Sequence, residues 1–185
     1  AGQDADGAKL FLTRVHRMCQ SVRECPVPVI ARINGACFGA ALELVAACDL
    51  HIASNNAVFG MPEVNVGLPS VVEAALLPQL IGWGKTKHLI YTGEAIDAAK
   101  ALQWGLLEAV TDSHAALDAE VERVVGMIVH AAPNAMRLQK DLVRAWEGMG
   151  VDAAILEGIR VAERTYRLSN EPNAYAAKVL ASLKK

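Results

Sequence analysis

Pro28-Val29-Ile30-Ala31-Arg32-Ile33-Asn34-Gly35-Ala36-Cys37-Phe38-Gly39-Ala40-Ala41-Leu42-Glu43 is the stretch on which the fold turns. Val27 to Ile33 is a short apolar run rich in β-branched residues and bounded by the turn pair Asn34-Gly35, which reads as a buried strand. Small residues then carry the chain into a helix over Ala40 to Cys48. Asp49 to Ser54 follows as a second strand, then a turn at Asn55-Asn56 and a brief extended piece from Ala57 to Phe59. Strand, helix, strand is the βαβ pattern of a parallel α/β sheet. Ala36-Cys37-Phe38-Gly39 and Ala57-Val58-Phe59-Gly60 echo each other 21 residues apart, each followed within four residues by a glutamate. The echo predicts successive turns of one coil that deliver Glu43 and Glu63 to similar places.

Towards the N-terminus, Leu12, Val15, Cys19 and Val22 recur at helical spacing over Ala8 to Val22, and Pro26 and Pro28 stop that helix. In the other direction the pattern turns helical beyond Ser70, over Val71 to Leu80, Lys85 to Tyr91 and Asp97 to Gln103, with a short strand from Leu107 to Val110. His114 to Val129, Ala135 to Trp146 and Val151 to Arg167 carry clear amphipathic faces. The expected organisation is an α/β core over residues 1–112 and a C-terminal helical module over residues 113–185.

The chain has 185 residues, 53% of them hydrophobic, and a net charge of −2 from 18 basic and 20 acidic residues. Interspersed charges of both signs leave no basic stripe for a phosphate backbone, so a nucleic-acid partner is not expected. No uncharged run exceeds 13 residues, the length of Val124 to Met136, whereas a membrane span needs about 20. Cys19, Cys25, Cys37 and Cys48 form no C-x-x-C pair and read as reduced, buried and structural. None of the five histidines has a companion at metal-ligand spacing, so no metal is expected, and His51 reads as a satisfied core or rim histidine. No leader pattern opens the chain, and the expected setting is cytoplasmic.

The passage from Asn34 to Glu43 could serve chemistry. The first N–H groups of a helix lack intrahelical acceptors and sit at the positive end of its dipole, so an oxygen gaining negative charge could be held there. The same small residues would equally permit tight strand–helix packing. Glu43 stands among apolar Ala41, Leu42, Leu44, Val45 and Ala46, and Glu63 follows Pro62 in a stretch, Ala57 to Val72, with no other charge. A carboxylate in apolar surroundings has its pKa pushed towards the range useful for proton transfer. Two of them beside a possible oxyanion site make an acid–base set. Glu73 is a third isolated acid, able to complement its helix or to point into the same pocket. No G-x-S-x-G, P-loop, G-x-G-x-x-G or H-E-x-x-H motif is present.

These residues resemble the enoyl-CoA hydratase/isomerase (crotonase) family. Ala1-Gly2-Gln3-Asp4 resembles its A-G-x-D loop. Pro28-Val29-Ile30-Ala31 through Glu43 to Cys48-Asp49 resembles its P-V-I-A-x-x-N-G…E…C-D signature, and Phe59-Gly60-Met61-Pro62-Glu63 resembles its F-G-x-P-E motif. The resemblance implies a crotonase-like spiral of ββα turns with a C-terminal helical module, the family's first strands lying outside this chain. It implies an oxyanion hole of the Gln3 and Ala40 amides, with Glu43 activating water and Glu63 delivering a proton in the hydration of a 2-enoyl-CoA thioester. Gln3, Asp4, Pro62, Ser70, Glu73, Tyr175 and Lys178 would border the substrate, the last two reaching the nucleotide from the final helix. Coenzyme A would be part of the substrate, with no other cofactor, and a homotrimer or dimer of trimers is implied. Isomerisation, decarboxylation or non-catalytic acyl-CoA binding are the rival readings. Two departures stand out: Ala40 replaces a usual glycine, and Ser70-Val71-Val72-Glu73 replaces a glycine-rich stretch.

Overall fold

The computed structural model describes residues 4–183. The first helix, α1 (Ala5–Arg23), begins under the side chain of Asp4, which accepts the Gly7 N–H at 2.8 Å as an N-cap. Strands β1 (Ile30–Ile33) and β2 (Ala36–Phe38) flank the Asn34-Gly35 turn, and α2 (Ala40–Ala46) follows. Then come β3 (Leu50–Ser54), β4 (Val58–Gly60), a 3-10 turn Pro62–Val66 and a second 3-10 turn Val72–Leu76. The chain continues through α3 (Leu77–Thr92), β5 (Ile96–Asp97), α4 (Ala98–Trp104) and β6 (Ala109–Thr111). It ends in α5 (His114–His130), α6 (Pro133–Trp146), α7 (Val151–Leu168) and α8 (Glu171–Ser182).

Two small sheets result, ordered β1-β3-β6 and β2-β4-β5. β1 and β3 pair in parallel, Ile30 with Leu50 and Ile33 with Ala53, and β2 pairs in parallel with β4, Ala36 with Val58 and Phe38 with Gly60. The two echoed tetrapeptides are thus neighbours on successive turns. β5 closes the second sheet antiparallel to β4, and β6 joins β3 in parallel. Leu42, Phe59, Met61, Leu77, Leu89 and Ile96 fill the core between these turns. A smaller cluster packs Val15 and Cys19 of α1 against Ala47, with Ala40, Leu44, Val72 and Leu76 around them. The expected amphipathic face of α1 is therefore what docks it.

Several expectations change in detail. The piece from Ala36 to Phe38 is a strand of its own. Residues 71–80 do not form one helix: Val72 takes φ 41°, which forces a 3-10 turn before α3 starts at Leu77. The expected break before Lys85 is present inside α3, where Gly82 leaves the helical conformation with φ 79° and ψ 158°. Of the four cysteines, none in a disulfide, Cys19 and Cys37 are buried but Cys25 and Cys48 only partly so. His51 is 2% exposed, with its ring nitrogens facing the carbonyl oxygens of Leu106 at 2.9 Å and Cys48 at 3.2 Å, as a satisfied core histidine should be.

The chain divides into two units. One comprises residues 1–25 and 29–122, the other residues 26–28 and 123–185. Within the second unit, Glu171 accepts the N–H groups of Asn134 and Ala135 at 3.3 and 3.0 Å and so caps α6. Trp146 donates to the Ala154 carbonyl at 3.0 Å, and Lys140 donates to the Val27 carbonyl at 3.0 Å. Among the described residues, no helix is long and apolar enough to cross a membrane.

Candidate active site

The site is built where β2 passes into α2. Gly39, the N-cap of α2, has φ 56° and ψ −124°, a conformation that a side chain strongly disfavours. A β-carbon there would also collide with Glu63 Oε1. Glycine is therefore required twice over, once by the backbone and once by the carboxylate lying against it. The Gly39 N–H is taken by the Gly60 carbonyl at 3.0 Å, which locks the start of α2 to the end of β4. Gly39 is thus not the donor of an oxyanion hole. Ala40, as the first helical residue, carries an N–H with no intrahelical acceptor.

Three carboxylates converge on this helix start. Glu43 lies one turn in and is 4% exposed. Burial, and then the charge of Glu63, push its carboxyl up from 4.5 to about 7; the Ala74 backbone N–H opposes this, and Glu73 adds to it. Glu63 is presented by the 3-10 turn that Pro62 opens, is half-buried, and accepts the Ser70 hydroxyl at 2.9 Å. Ser70 therefore orients Glu63. Glu73 enters from the second 3-10 turn, is 6% exposed, and receives His16 Nδ1 of α1 at 2.6 Å on Oε1. The Cys19 thiol faces the same group: burial, then the charges of Glu73 and Glu43, push it up to about 12, so it stays a neutral thiol.

The structure thus brings together Ala40, Glu43, Pro62, Glu63, Ser70 and Glu73 of the expected set. Gln3 lies outside the described residues. Asp4 is engaged as the cap of α1. Tyr175 and Lys178 lie on α8 in the other unit, where the ammonium sits 4.5 Å from the ring centroid. His16 was missed, because nothing in a sequence separation of 57 residues links it to Glu73. Its place beside Val15 and Cys19, at the edge of the buried face of α1, was the one available signal. Among the described residues no group of three or more His, Cys, Asp or Glu side chains is arranged to hold a metal ion. What the arrangement can do is hold an anionic oxygen at the start of α2 and move protons at two carboxylates beside it.

The chain is 38% identical over 140 residues to the crotonyl-CoA hydratase of Syntrophomonas wolfei, covering 75% of this chain and 52% of that protein. It is 36% identical over 129 residues to the short-chain-enoyl-CoA hydratase of Clostridium acetobutylicum, covering 69% and 49%. The chain spans about half the length of these curated relatives. Crystal structures of enoyl-CoA hydratases from Mycobacterium smegmatis and Bacillus anthracis superpose with TM-scores of 0.90 each. Sequence identity is 25% and 27%, and coverage is 98% and 97% of this chain and 70% of each of theirs. The fold is therefore the crotonase spiral, as the motifs imply. The model of the enoyl-CoA hydratase/isomerase family matches residues 2–164, and with the site geometry and these relatives it follows that the chain belongs to the enoyl-CoA hydratase/isomerase (crotonase) family.

Proposed function

We propose that this protein is an enoyl-CoA hydratase, adding water across the 2,3 double bond of a 2-enoyl-CoA thioester. The observation that carries the reading is the pair Glu43 and Glu63, interacting by charge beside the free N–H of Ala40, with Glu43 poised at about 7. A base is most effective with its pKa near the working pH. Below about pH 7 the pair holds one shared proton; with that proton on Glu63, ionised Glu43 takes a proton from water as the oxygen bonds to C3. The electron pair of the double bond moves to the thioester oxygen, which the Ala40 N–H stabilises together with the Gln3 amide. Glu63 then gives its proton to C2, and transfer of the water-derived proton between the two carboxyls restores the starting state. Donor strength at Ala40 does not depend on a glycine, since the N–H is common to both residues; the methyl group narrows the space beside it.

Isomerisation and decarboxylation would use the same oxyanion donors, but retention of both glutamates favours hydration. The reading needs no cofactor beyond the coenzyme A of the substrate. It includes a homotrimer or dimer of trimers, supported by the exposed apolar residues Ile155, Ile159 and Tyr166 along α7, with Tyr175 and Lys178 reaching the nucleotide. Loss of the enoyl chromophore in the ultraviolet, followed over a series of 2-enoyl-CoA thioesters of increasing length, tests it. Turnover that depends on Glu43 and Glu63 is expected. A folded protein that consumes none of the series overturns the reading.

A further inference from the structure

Backbone and side chain of Glu63 are both held by the segment that follows it. Its carbonyl accepts the Leu68 N–H at 3.0 Å, and its Oε2 accepts the hydroxyl of Ser70, seven residues on, at 2.9 Å. The chain can return in this way because Gly67, with φ 80°, caps the 3-10 turn, its N–H bonding the Val64 carbonyl at 3.3 Å. The turn is itself seated against the end of α3, where a β-carbon on Gly93 would strike Asn65. The carboxyl is therefore placed by a closed loop of backbone and not by its own rotamer preference alone.

The two oxygens of that carboxyl are not equivalent. Oε1 lies against Gly39, the N-cap of α2, so closely that a β-carbon there would collide with it. Oε2 faces Ser70. A hydroxyl that donates to Oε2 leaves no room on that line for a second hydrogen, so the acid form of Glu63 carries its proton on Oε1, at the start of α2. A proton on Oε2 would force the serine hydroxyl to turn away and give up its hydrogen bond.

We propose that Ser70 is a positioning residue for hydration: by donating to Glu63 Oε2 it reserves Oε1, at the start of α2, as the oxygen that gives its proton to C2. The inference rests on the hydratase reading above and deepens it. In the step, the Oε1–H bond breaks and leaves its electron pair on the carboxylate. The C2–H bond forms from the double-bond pair of the enolate, and the thioester carbonyl is restored. The Ser70 hydrogen bond strengthens as negative charge gathers on Glu63, because a hydroxyl bonds a carboxylate more strongly than a neutral acid. It therefore stabilises the transition state more than the substrate complex.

Steady-state kinetics of Ser70→Ala and Ser70→Thr against the parent chain, on the fastest-consumed thioester of the series above, test it. Ser70→Ala should lower kcat about 10- to 100-fold, the range of a hydrogen bond to a charged group, with KM nearly unchanged. Ser70→Thr keeps the hydroxyl and should recover most of that loss. Without the hydroxyl the ionised form of Glu63 loses a donor, so the pair of Glu43 and Glu63 keeps its shared proton to higher pH, Glu73 and the Ala74 N–H acting on Glu43 as before. The alkaline fall in turnover should accordingly move up by about one pH unit in Ser70→Ala, a shift that a purely structural role would not give. Should Ser70→Ala fail to fold, Ser70→Cys, similar in shape with a weaker donor, should show smaller changes in the same senses. An unchanged kcat, a loss that threonine does not recover or an alkaline limb that stays in place overturns the proposal, and so does a raised KM at unchanged kcat, which would make Ser70 a substrate contact. A folded parent that turns over no enoyl thioester overturns hydration and the proposal together, an outcome distinct from a Ser70→Ala protein as fast as an active parent.

Discussion

Replacing Glu43 by glutamine separates what the residue does for the reaction from what it costs the fold. The native state holds the Glu43 proton up to about pH 7, whereas the unfolded chain releases it near 4.5. Between those values the folded protein binds more protons, so stability falls as pH rises through that window and the loss is complete above about pH 7. At roughly 1.4 kcal/mol per pH unit the difference amounts to about 3 kcal/mol. Glutamine keeps the shape and an acceptor for the Ala74 N–H but never ionises. Its amide hydrogens find no acceptor in place of the proton, an offset of about 1 kcal/mol. Glu43→Gln should therefore be more stable than the parent by about 2 kcal/mol at pH 8, a rise of roughly 4–8 °C in melting temperature for a chain of this size. Below pH 4.5 the sign should reverse, the parent being the more stable by about 1 kcal/mol. Urea denaturation at pH 4, 6 and 8 reads the difference directly, and the enoyl-CoA assay should show at least about a 100-fold loss of turnover in the same protein. In the parent, turnover should fall as pH rises through about 7, as the pair loses the shared proton that Glu63 must give. A stability difference that does not change with pH would refute the burial of an ionisable Glu43; an unchanged turnover would refute its role as base.

Other consequences are as specific. Glu63→Gln should lower turnover by about 100-fold or more, and by removing the neighbouring charge should move the remaining ionisation of Glu43 to lower pH, seen as an acid limb shifted in the residual rate profile. Gly39→Ala combines positive φ with a collision against Glu63; it should cost about 1–2 kcal/mol of stability, measured by urea unfolding, and displace Glu63 enough to lose about as much activity as Glu63→Gln. Ala40→Pro deletes the proposed donor at a helix position that tolerates proline; it should fold, bind acyl-CoA and turn over about 10²–10³-fold more slowly, whereas Ala40→Gly should stay active. Near-normal turnover in folded Ala40→Pro would place the oxyanion elsewhere. Light scattering at micromolar concentration should show a trimer or hexamer, and a monomer alone would count against the oligomer.

The motifs that define the family were legible because each is local. Asn34-Gly35 sets a turn, Pro62 opens the 3-10 turn that presents Glu63, and the repeat of about 20 residues places Glu43 and Glu63 on neighbouring turns of the coil. Helix faces were legible for the same reason: apolar spacing is a property of a few consecutive residues, and α1, α6 and α7 follow it to within three residues at their ends. The sequence by itself therefore determined the alternation of strand and helix, the pair of acids and the small residues between them. What only the tertiary structure decided depends on groups far apart in the chain. The approach of His16 to Glu73, the blocking of the Gly39 N–H by Gly60 and the burial, with the neighbouring charge, that holds Glu43 near 7 all arise from which surfaces are pressed together. Burial and charge act through distance in space, and a linear spacing carries that distance only where the backbone geometry between two residues is already regular.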